Sequence, residues 1–278
     1  MSDPAVTRRA YAEKIADIAG VRNTVLVDAF AAVPREAFLG PGPWKTLVPG
    51  EDEYRDTPDD DPVRVYENLC VAIDAARKLN NGEPGLHMEL LDALAPAAGE
   101  HVVQIGAGTG YYTAILAELV GARGRVTAIE YDEALARRAG HNLAAYPQVT
   151  VVCADGTRFA SGPADAIYVC AGVTGPSATW LDNLAPAGRL IVPLTTATWE
   201  GRILEVRRLD TAFAARSIVA CGFIPCTGAR DAESEELLAE ALERGGLDEV
   251  RSLRRDRHRR EPACWLHAEG YCLSRNPP

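Results

Sequence analysis

The sequence predicts an α/β fold with a doubly wound, mostly parallel sheet, and three segments in the middle of the chain carry this expectation. Val102 to Gly110 has the pattern of a buried strand that runs into a glycine-rich turn, and an apolar helix pattern follows it. Residues 125–130 predict a second strand and residues 149–153 a third, each followed by polar residues. Strands that alternate with helices in this way are typical of parallel sheets covered by helices on both faces.

The turn after the first strand has glycines at alternate positions, Gly106, Gly108 and Gly110. Glycine permits positive φ and lets a ligand approach bare backbone, and the first N–H groups of the following helix can receive an anionic group. Glu130, at the end of the second strand, is placed to accept hydrogen bonds from ribose hydroxyls, and Asp155, after the third, is a candidate for an adenine amino group. The pattern therefore predicts a nucleotide-like cofactor.

Two cofactor classes fit such a turn. Dinucleotide sites have G-x-G-x-x-G, and the third glycine would fall where this chain has Tyr111. The G-x-G-x-G spacing, together with Asp155-Gly156 after the third strand, instead resembles the Rossmann-like class I methyltransferases that bind S-adenosylmethionine. We favour the methyltransferase over a dehydrogenase.

The flanking segments complete the expected organisation. We expect an N-terminal helical and loop cap over 1–98, a core over 99–228 and a small α+β extension over 229–278. In the cap, two helices precede an irregular loop at 40–61 and a turn at 79–84. In the extension, Asp231 caps a helix that Gly245-Gly246 ends, a run of arginines follows, and one last strand alternates from Cys264 to Tyr271.

Composition narrows the function classes. The 278 residues are 47% hydrophobic, with a net charge of −10, which disfavours nucleic acid as a partner and is compatible with a basic peptide. The seven cysteines include no C-x-x-C pair, so we expect reduced thiols and no metal site. With no signal-peptide pattern and no run of about 18 apolar residues, we expect a cytoplasmic protein without a membrane partner.

From about Ala5 to Gly228 the chain resembles the protein-L-isoaspartate O-methyltransferase family. The resemblance rests on motifs whose residues and order along the chain are specific to that family. These motifs are Val33-Pro34-Arg35-Glu36 with Phe38, the segment 102–120, Cys153-Ala154-Asp155-Gly156, the segment 164–172 and the segment 184–193.

The resemblance implies a set of cofactor residues and a loop that closes over cofactor and substrate. The resemblance assigns His87, Gly106, Gly108, Gly110, Glu130, Asp155 and Gly156 to the cofactor, and we also expect Gln104, Ala107 and Tyr131 in this set. The closing loop supplies the catalytic candidates Asn80, Asn81 and Gly82, and the substrate candidates are Tyr66, Asn80 and Asn81.

That loop is also where the chain departs from the family pattern. The repair enzymes usually have Thr-Ile-Ser there, and the matching positions are Asn80, Asn81 and Gly82, so the active-site serine is absent. Gln104 replaces the usual acid before the glycine turn. These departures resemble a branch that esterifies an aspartate in ribosomally made precursor peptides, whose ester then cyclises to aspartimide.

The expected reaction is transfer of a methyl group to an aspartate or isoaspartate carboxylate in a peptide or protein. A carboxylate of pKa about 4 is already ionised and needs no general base, which suits a sequence without an obvious catalytic triad. The amides of Asn80 and Asn81 can donate hydrogen bonds to it. An isoaspartyl-repair methyltransferase and a small-molecule methyltransferase are the alternatives.

Overall fold

The computed structural model describes residues 3–51 and 53–278. The chain forms two compact units, one of Met1–Gly99 with Ala107–Cys153 and one of Glu100–Gly106 with Ala154–Pro278. The division into cap, core and extension at residues 98 and 228 stays a prediction about function, and residues 1, 2 and 52 of the cap lie outside the described residues.

The helices are α1 (Pro4–Ala19), α2 (Thr24–Ala32), α3 (Pro84–Leu94), α4 (Tyr111–Val120), α5 (Glu133–Asn142), α6 (Ala178–Asn183) and α7 (Ala232–Arg244), with 3-10 turns at Arg35–Phe38, Pro62–Val65 and Leu247–Glu249. The strands are β1 (Lys45–Leu47), β2 (Arg55–Asp56), β3 (Cys70–Asp74), β4 (Leu79–Asn80), β5 (His101–Ile105), β6 (Arg125–Glu130), β7 (Val149–Cys153), β8 (Ala164–Val169), β9 (Leu184–Thr195), β10 (Glu200–Arg208), β11 (Phe213–Gly222), β12 (Ser252–Arg254), β13 (Cys264–Ala268) and β14 (Tyr271–Ser274).

The first unit contains a small sheet of order β2-β1-β3-β4. The prediction of an irregular loop at 40–61 was therefore wrong in part, because β1 and β2 lie within it. Thr46 pairs with Arg55 on one side and with Val71 on the other, so these short strands are stabilised by partners distant in sequence. Local composition, rich in glycine, proline and aspartate, gave no sign of them.

The cofactor-type motif of the first unit has the expected secondary structure. β6 and β7 pair in parallel, with Glu130 beside Cys153 at their carboxyl ends. Gly110 precedes α4 with φ of 96°, and the Asp132 side chain caps α5 by accepting from Ala134 and Leu135 N–H groups at 2.9 and 3.0 Å. Gly110 before α4 and Glu130 at the end of β6 thus lie where the sequence indicates.

In the second unit, the strands lie in the order β13-β14-β12-β11-β10-β9-β8-β5. β5, β8 and β9 are parallel, and the strands from β9 onward pair antiparallel. The predicted α/β fold with helix-connected parallel strands is confirmed, and the C-terminal strands extend the sheet.

The last strand of the prediction is a hairpin. β13 and β14 pair antiparallel around Glu269-Gly270, where Gly270 has φ of 83°. The alternating pattern from Cys264 to Tyr271 continued across the turn, so it concealed the reversal of the chain.

The C-terminal extension is integrated into this sheet. β12 pairs with β11 through Phe213 and Leu253, and Trp265 is fully buried with its Nε1 donating to the Gly245 carbonyl at 2.8 Å. In the arginine run, Arg254 bonds Asp256 and Glu261, while Arg255 pairs with Asp182. These arginines neutralise acids of the chain itself.

Among the described helices, none combines the length and the apolar character that crossing a membrane requires.

Candidate functional site

The glycine turn and Glu130 are joined by a hydrogen bond. Glu130 is buried; its Oε2 accepts from the Gly108 N–H at 2.7 Å, and its Oε1 accepts from the Asp132 N–H at 2.9 Å. Burial raises the pKa of Glu130, and the N–H groups of Asp132 and Gly108 oppose that rise. An ionised carboxylate has about four acceptor sites, so the backbone N–H groups that bond Glu130 do not occupy all of them.

The three glycines of the turn have the backbone that their residue type predicts. Gly106, Gly108 and Gly110 have φ of 81°, 58° and 96°. A Cβ on Gly110 would lie 2.8 Å from Leu143 Cδ1, whereas one on Gly108 would meet nothing closer than Ile73 Cδ1 at 3.8 Å. Gly110 is thus needed for packing, whereas a Cβ on Gly108 would make only an ordinary van der Waals contact.

The predicted closing loop is held by its own asparagines. Asn80 Oδ1 accepts from the Gly82 N–H at 2.9 Å, and its Nδ2 donates to the Tyr54 hydroxyl at 3.1 Å. Asn81 is buried, and its Oδ1 accepts from Val71 N at 3.1 Å and from Arg35 Nη2 at 3.0 Å. Those two donors fix which end of the Asn81 amide is oxygen.

The Nδ2 of Asn81 is buried and has no hydrogen-bond partner among the described residues. A buried donor left unpaired costs about 1–3 kcal/mol. Asn81 therefore offers an unused donor in the predicted loop, while the Asn80 amide is committed at both ends.

Arg35 was not among the site residues predicted from the sequence. Its side chain is fully buried, and its Nη atoms donate to the carbonyls of Val65 at 2.7 Å and Leu69 at 2.6 Å as well as to Asn81. A buried guanidinium so bonded fixes the loop that carries Asn81. Its place in the Val-Pro-Arg-Glu motif was the available signal, but that motif was used only as part of the family resemblance.

His87 lies in the first turn of α3, in contact with the same loop. Its ring stacks on Tyr112 with centroids 3.7 Å apart and planes 8° apart. Burial, and then the positive charge of Arg35, lowers the pKa of His87 to about 3. A Cβ on Gly82 would lie 2.3 Å from His87 Nε2, so a side chain at position 82 and the histidine ring compete for the same space.

Tyr66 and Tyr131 have contrasting surroundings. Tyr66 is buried, its hydroxyl donates to the Glu36 carboxylate, and its ring lies 5.3 Å from that of Tyr11. Burial raises the pKa of Tyr66, and Glu36 adds to the rise. Tyr131 is 60% exposed directly after Glu130. Their predicted roles in binding substrate and cofactor stay predictions.

In the second unit, β5 brings Gln104 and Gly106 to the end of β8. Gln104 is buried and its Nε2 donates to Cys170 Sγ at 3.4 Å. A Cβ on Gly106 would lie 3.4 Å from the Cys170 carbonyl oxygen, so the strands approach closely there. An ionised acid in place of Gln104 could not make this bond, because it has no N–H group to donate.

Asp155 and Gly156 form a capped turn after β7. Asp155 Oδ1 accepts from Thr157 N at 2.9 Å and from its hydroxyl at 2.6 Å, and the Gly156 carbonyl accepts from Trp180 Nε1 at 2.7 Å. A Cβ on Gly228 would lie 3.2 Å from Asp155 Oδ2. These bonds hold the turn in place, and the contact of the two residues with adenine stays a prediction.

The chain matches a known family over most of its length. The family model described as Protein-L-isoaspartate(D-aspartate) O-methyltransferase matches residues 12–231. A protein-L-isoaspartate O-methyltransferase from Aeropyrum pernix is 32% identical over 208 residues, which cover 69% of this chain and 72% of that protein. One from Methanopyrus kandleri is 28% identical and covers 81% of this chain and 95% of that protein.

Solved structures agree on the fold. A protein-L-isoaspartate O-methyltransferase superposes with a TM-score of 0.60 at 24% identity, over 84% of this chain and 69% of that chain. A Plasmodium falciparum structure in complex with S-adenosyl-L-homocysteine gives a TM-score of 0.64 at 15% identity, over 79% of this chain and 98% of that one. At these identities the likeness establishes the fold.

Proposed function

Because the chain belongs to the protein-L-isoaspartate(D-aspartate) O-methyltransferase family, we propose that it transfers the methyl group of S-adenosylmethionine to an aspartate or isoaspartate carboxylate of a peptide. We further propose that its natural substrate is a dedicated precursor peptide. The observation that carries the cofactor assignment is the Glu130 carboxylate, fixed on the Gly108 N–H at 2.7 Å with acceptor positions to spare.

The residues present suit this cofactor. In our proposal the Glu130 carboxylate accepts hydrogen bonds from the two ribose hydroxyls of S-adenosylmethionine. The methionine portion of the cofactor then lies on the turn of Gly106, Ala107, Gly108 and Gly110. S-adenosylmethionine supplies a methyl group on a positively charged sulfur. The positive φ of Gly108 supports this arrangement, since a glycine there lets a ligand contact bare backbone.

The chemistry needs positioning more than proton transfer. A carboxylate oxygen forms the new bond to the methyl carbon as the methyl–sulfur bond breaks, which leaves a neutral ester and a neutral thioether. Since charge disappears in the transition state, exclusion of water favours the reaction. Approach within about 3–3.5 Å in line with the breaking bond is the main requirement.

In this proposal, Asn81 Nδ2 donates to the substrate carboxylate and takes the place of the serine that the family pattern leads one to expect. Its buried, unpaired amide nitrogen supports that role. The His87 ring against Gly82 supports it as well, because it leaves no room at position 82 for a serine side chain. Asn80 would then act by shaping the loop.

The cofactor assignment is tested by Glu130→Ala, which removes acceptors for both ribose hydroxyls. We expect S-adenosylmethionine binding to weaken by about 1.5–3 kcal/mol, as for hydrogen bonds to a charged group. Calorimetric titration measures it, and Glu133→Ala, an exposed acid in the next helix, is the control. Equal affinities of the two variants would refute the assignment.

The role of Asn81 is tested by Asn81→Asp, which keeps the oxygen that Arg35 and Val71 bind and replaces the donor by a second acceptor. We expect turnover to fall strongly while cofactor affinity stays within about twofold, because only the substrate carboxylate is repelled. Asn80→Asp is the matched control. Loss of cofactor affinity with turnover would mean that the loop only covers the cofactor.

The substrate is tested by mass spectrometry on short peptides encoded beside the gene and on a generic peptide in aspartyl and isoaspartyl forms. We expect methylation of an ordinary aspartate in the encoded peptide. The following backbone nitrogen then attacks the ester carbonyl, methanol leaves, and the product is one water lighter than the starting peptide. Rapid turnover of the generic isoaspartyl form alone would instead identify a repair enzyme.

A further inference from the structure

Four side chains with metal-binding atoms meet in the C-terminal extension, far along the chain from the residues discussed above. His258, Cys264, His267 and Cys272 each offer one nitrogen or sulfur, and these atoms all lie within 4.8 Å of one another. Cys264 and Cys272 are buried free thiols, and the two histidines are half-buried. The absence of C-x-x-C pairs led to the expectation of no metal site, whereas here the two cysteines are separated by seven residues.

The β13–β14 hairpin explains how these residues meet. His267 and Cys272 are directly opposite each other in its register, and Cys264 stands at its start, where an irregularity in the pairing precedes Leu266. His258 reaches the group from the segment before β13, and its ring centroid lies 4.8 Å from that of His267. The backbone therefore gathers the four side chains without help from a ligand.

The contacts around the cluster are those of a metal site rather than of a random group of polar residues. His258 Nδ1 lies 3.0 Å from the Asp256 carbonyl oxygen and 3.3 Å from its carboxylate, so this nitrogen donates and Nε2 is left as the acceptor. Nε2 faces Cys264 Sγ at 3.5 Å. A histidine whose outer nitrogen bonds a carbonyl or carboxylate is the usual partner arrangement of a metal ligand.

Two further observations point the same way. The Glu261 N–H donates to Cys264 Sγ at 3.4 Å, so this sulfur acts as an acceptor. His267 Nδ1 is buried without a hydrogen-bond partner among the described residues. A cation would give the buried imidazole nitrogen of His267 a partner, and the Cys264 sulfur lies within 4.8 Å of the same group of donor atoms.

The types of donor atom and the distances between them indicate which metal fits. Two sulfurs and two imidazole nitrogens suit tetrahedral zinc. Zn–S bonds of about 2.3 Å and Zn–N bonds of about 2.0–2.1 Å place the donors of a tetrahedron about 3.3–3.8 Å apart. The 3.5 Å between His258 and Cys264 already matches, and a largest separation of 4.8 Å requires only a small contraction.

We propose that His258, Cys264, His267 and Cys272 bind a structural zinc ion that fastens the C-terminal hairpin. With four protein ligands there is no open position for a substrate, so the ion has no catalytic part. Binding displaces protons from the two thiols and joins the segment around His258 to both strands.

The hairpin also contacts the loop after β8. Next to Cys272, the Tyr271 hydroxyl donates to the Thr174 carbonyl at 3.2 Å. A Cβ on Gly175 would lie 2.1 Å from the Tyr271 hydroxyl oxygen, so this contact is close. Zinc would therefore hold the strand that packs against this loop.

Metal analysis of the whole chain, purified through a tag without histidine, tests the proposal. We expect about one zinc per chain, retained by Cys153→Ser/Cys226→Ser and lost by Cys264→Ser/Cys272→Ser. The control pair removes two thiols outside the cluster. Absence of zinc from the wild type, together with failure of the chelated protein to take up added zinc, or a disulfide between Cys264 and Cys272, would overturn it.

Cobalt substitution gives a second readout that does not depend on the fold of the double variant. Wild-type protein with Co²⁺ should show a thiolate-to-cobalt charge-transfer band and the visible bands of tetrahedral coordination. His258→Gln, at the half-buried edge of the cluster, should shift the visible bands and keep the charge-transfer band. A cobalt spectrum without thiolate bands in the wild type would refute the site whatever the enzymatic activity, so its failure is separate from that of the proposed methyl transfer.

Discussion

Restoring the family's serine by Gly82→Ser should destabilise the protein rather than return a repair enzyme. Gly82 has φ of 77°, a conformation that costs a residue with a side chain about 1–2 kcal/mol. The new Cβ would also lie 2.3 Å from His87 Nε2, where the His87 ring is stacked on Tyr112 and cannot easily withdraw. Overpacking of this kind costs a further 1–3 kcal/mol or so.

The two contributions can be separated by a matched glycine. Gly20, at the end of α1, has φ of 68° and nothing within 4 Å of a Cβ, so Gly20→Ser incurs the backbone cost alone. We expect the free energy of unfolding, measured by urea denaturation, to fall by about 1–2 kcal/mol in Gly20→Ser and by about 2–5 kcal/mol in Gly82→Ser.

A double-mutant cycle with His87→Ala then locates the clash. If serine 82 and the histidine ring compete for space, the double variant should lose less stability than the sum of the two single variants, by about 1–3 kcal/mol. Equal costs at positions 20 and 82, or strict additivity in the cycle, would refute the reasoning that His87 excludes a side chain from the loop.

Two more predictions concern buried charge. The pKa of His87 is near 6.5 in the unfolded chain and about 3 in the folded chain, so protonation favours the unfolded state and stability is lost as the pH falls below 6.5. Between about pH 8 and pH 5, the free energy of unfolding should fall by about 2 kcal/mol because of this residue. His87→Asn should remove that part of the pH dependence in urea titrations and the exposed His141→Asn should not, and identical profiles would contradict the assignment. Arg35→Lys cannot reproduce the set of carbonyl contacts and should lower the free energy of unfolding by about 3 kcal/mol. The control Arg9→Lys, in an exposed ion pair, should lower it by less than about 0.5 kcal/mol. Similar costs for the two variants would show that the Arg35 bonds are unimportant.

The fold was predictable where its cause is local. The glycines of the turn and the strand before them are determined by neighbouring residues, and the positive φ of the glycines is as expected. β1 and β2 were missed because their partners include Val71, distant in sequence. The final hairpin was missed because its two strands continue one alternation through the turn at Gly270.

The candidate site divides in the same way. Glu130 was identified because an acid at a strand end has a known geometric consequence, and the structure shows it bonded to the turn. Arg35 acts through acceptors 30 to 47 residues away, which no spacing rule relates to it. The four side chains of the proposed zinc site are brought together by a hairpin that was not predicted from the sequence. Their proximity could therefore not be foreseen.

The order of strands in the second unit has a consequence for biosynthesis. β5 emerges from the ribosome about sixty residues before β8, its parallel partner, so it waits about 3–12 s during translation. At the other end, the edge of β11 is unpaired until β12 is made, about thirty residues later in the chain. An exposed strand edge can recruit another chain. Nascent chains that stop before residue 252 therefore carry an open β edge, and premature termination there should yield aggregates rather than a shortened folded protein.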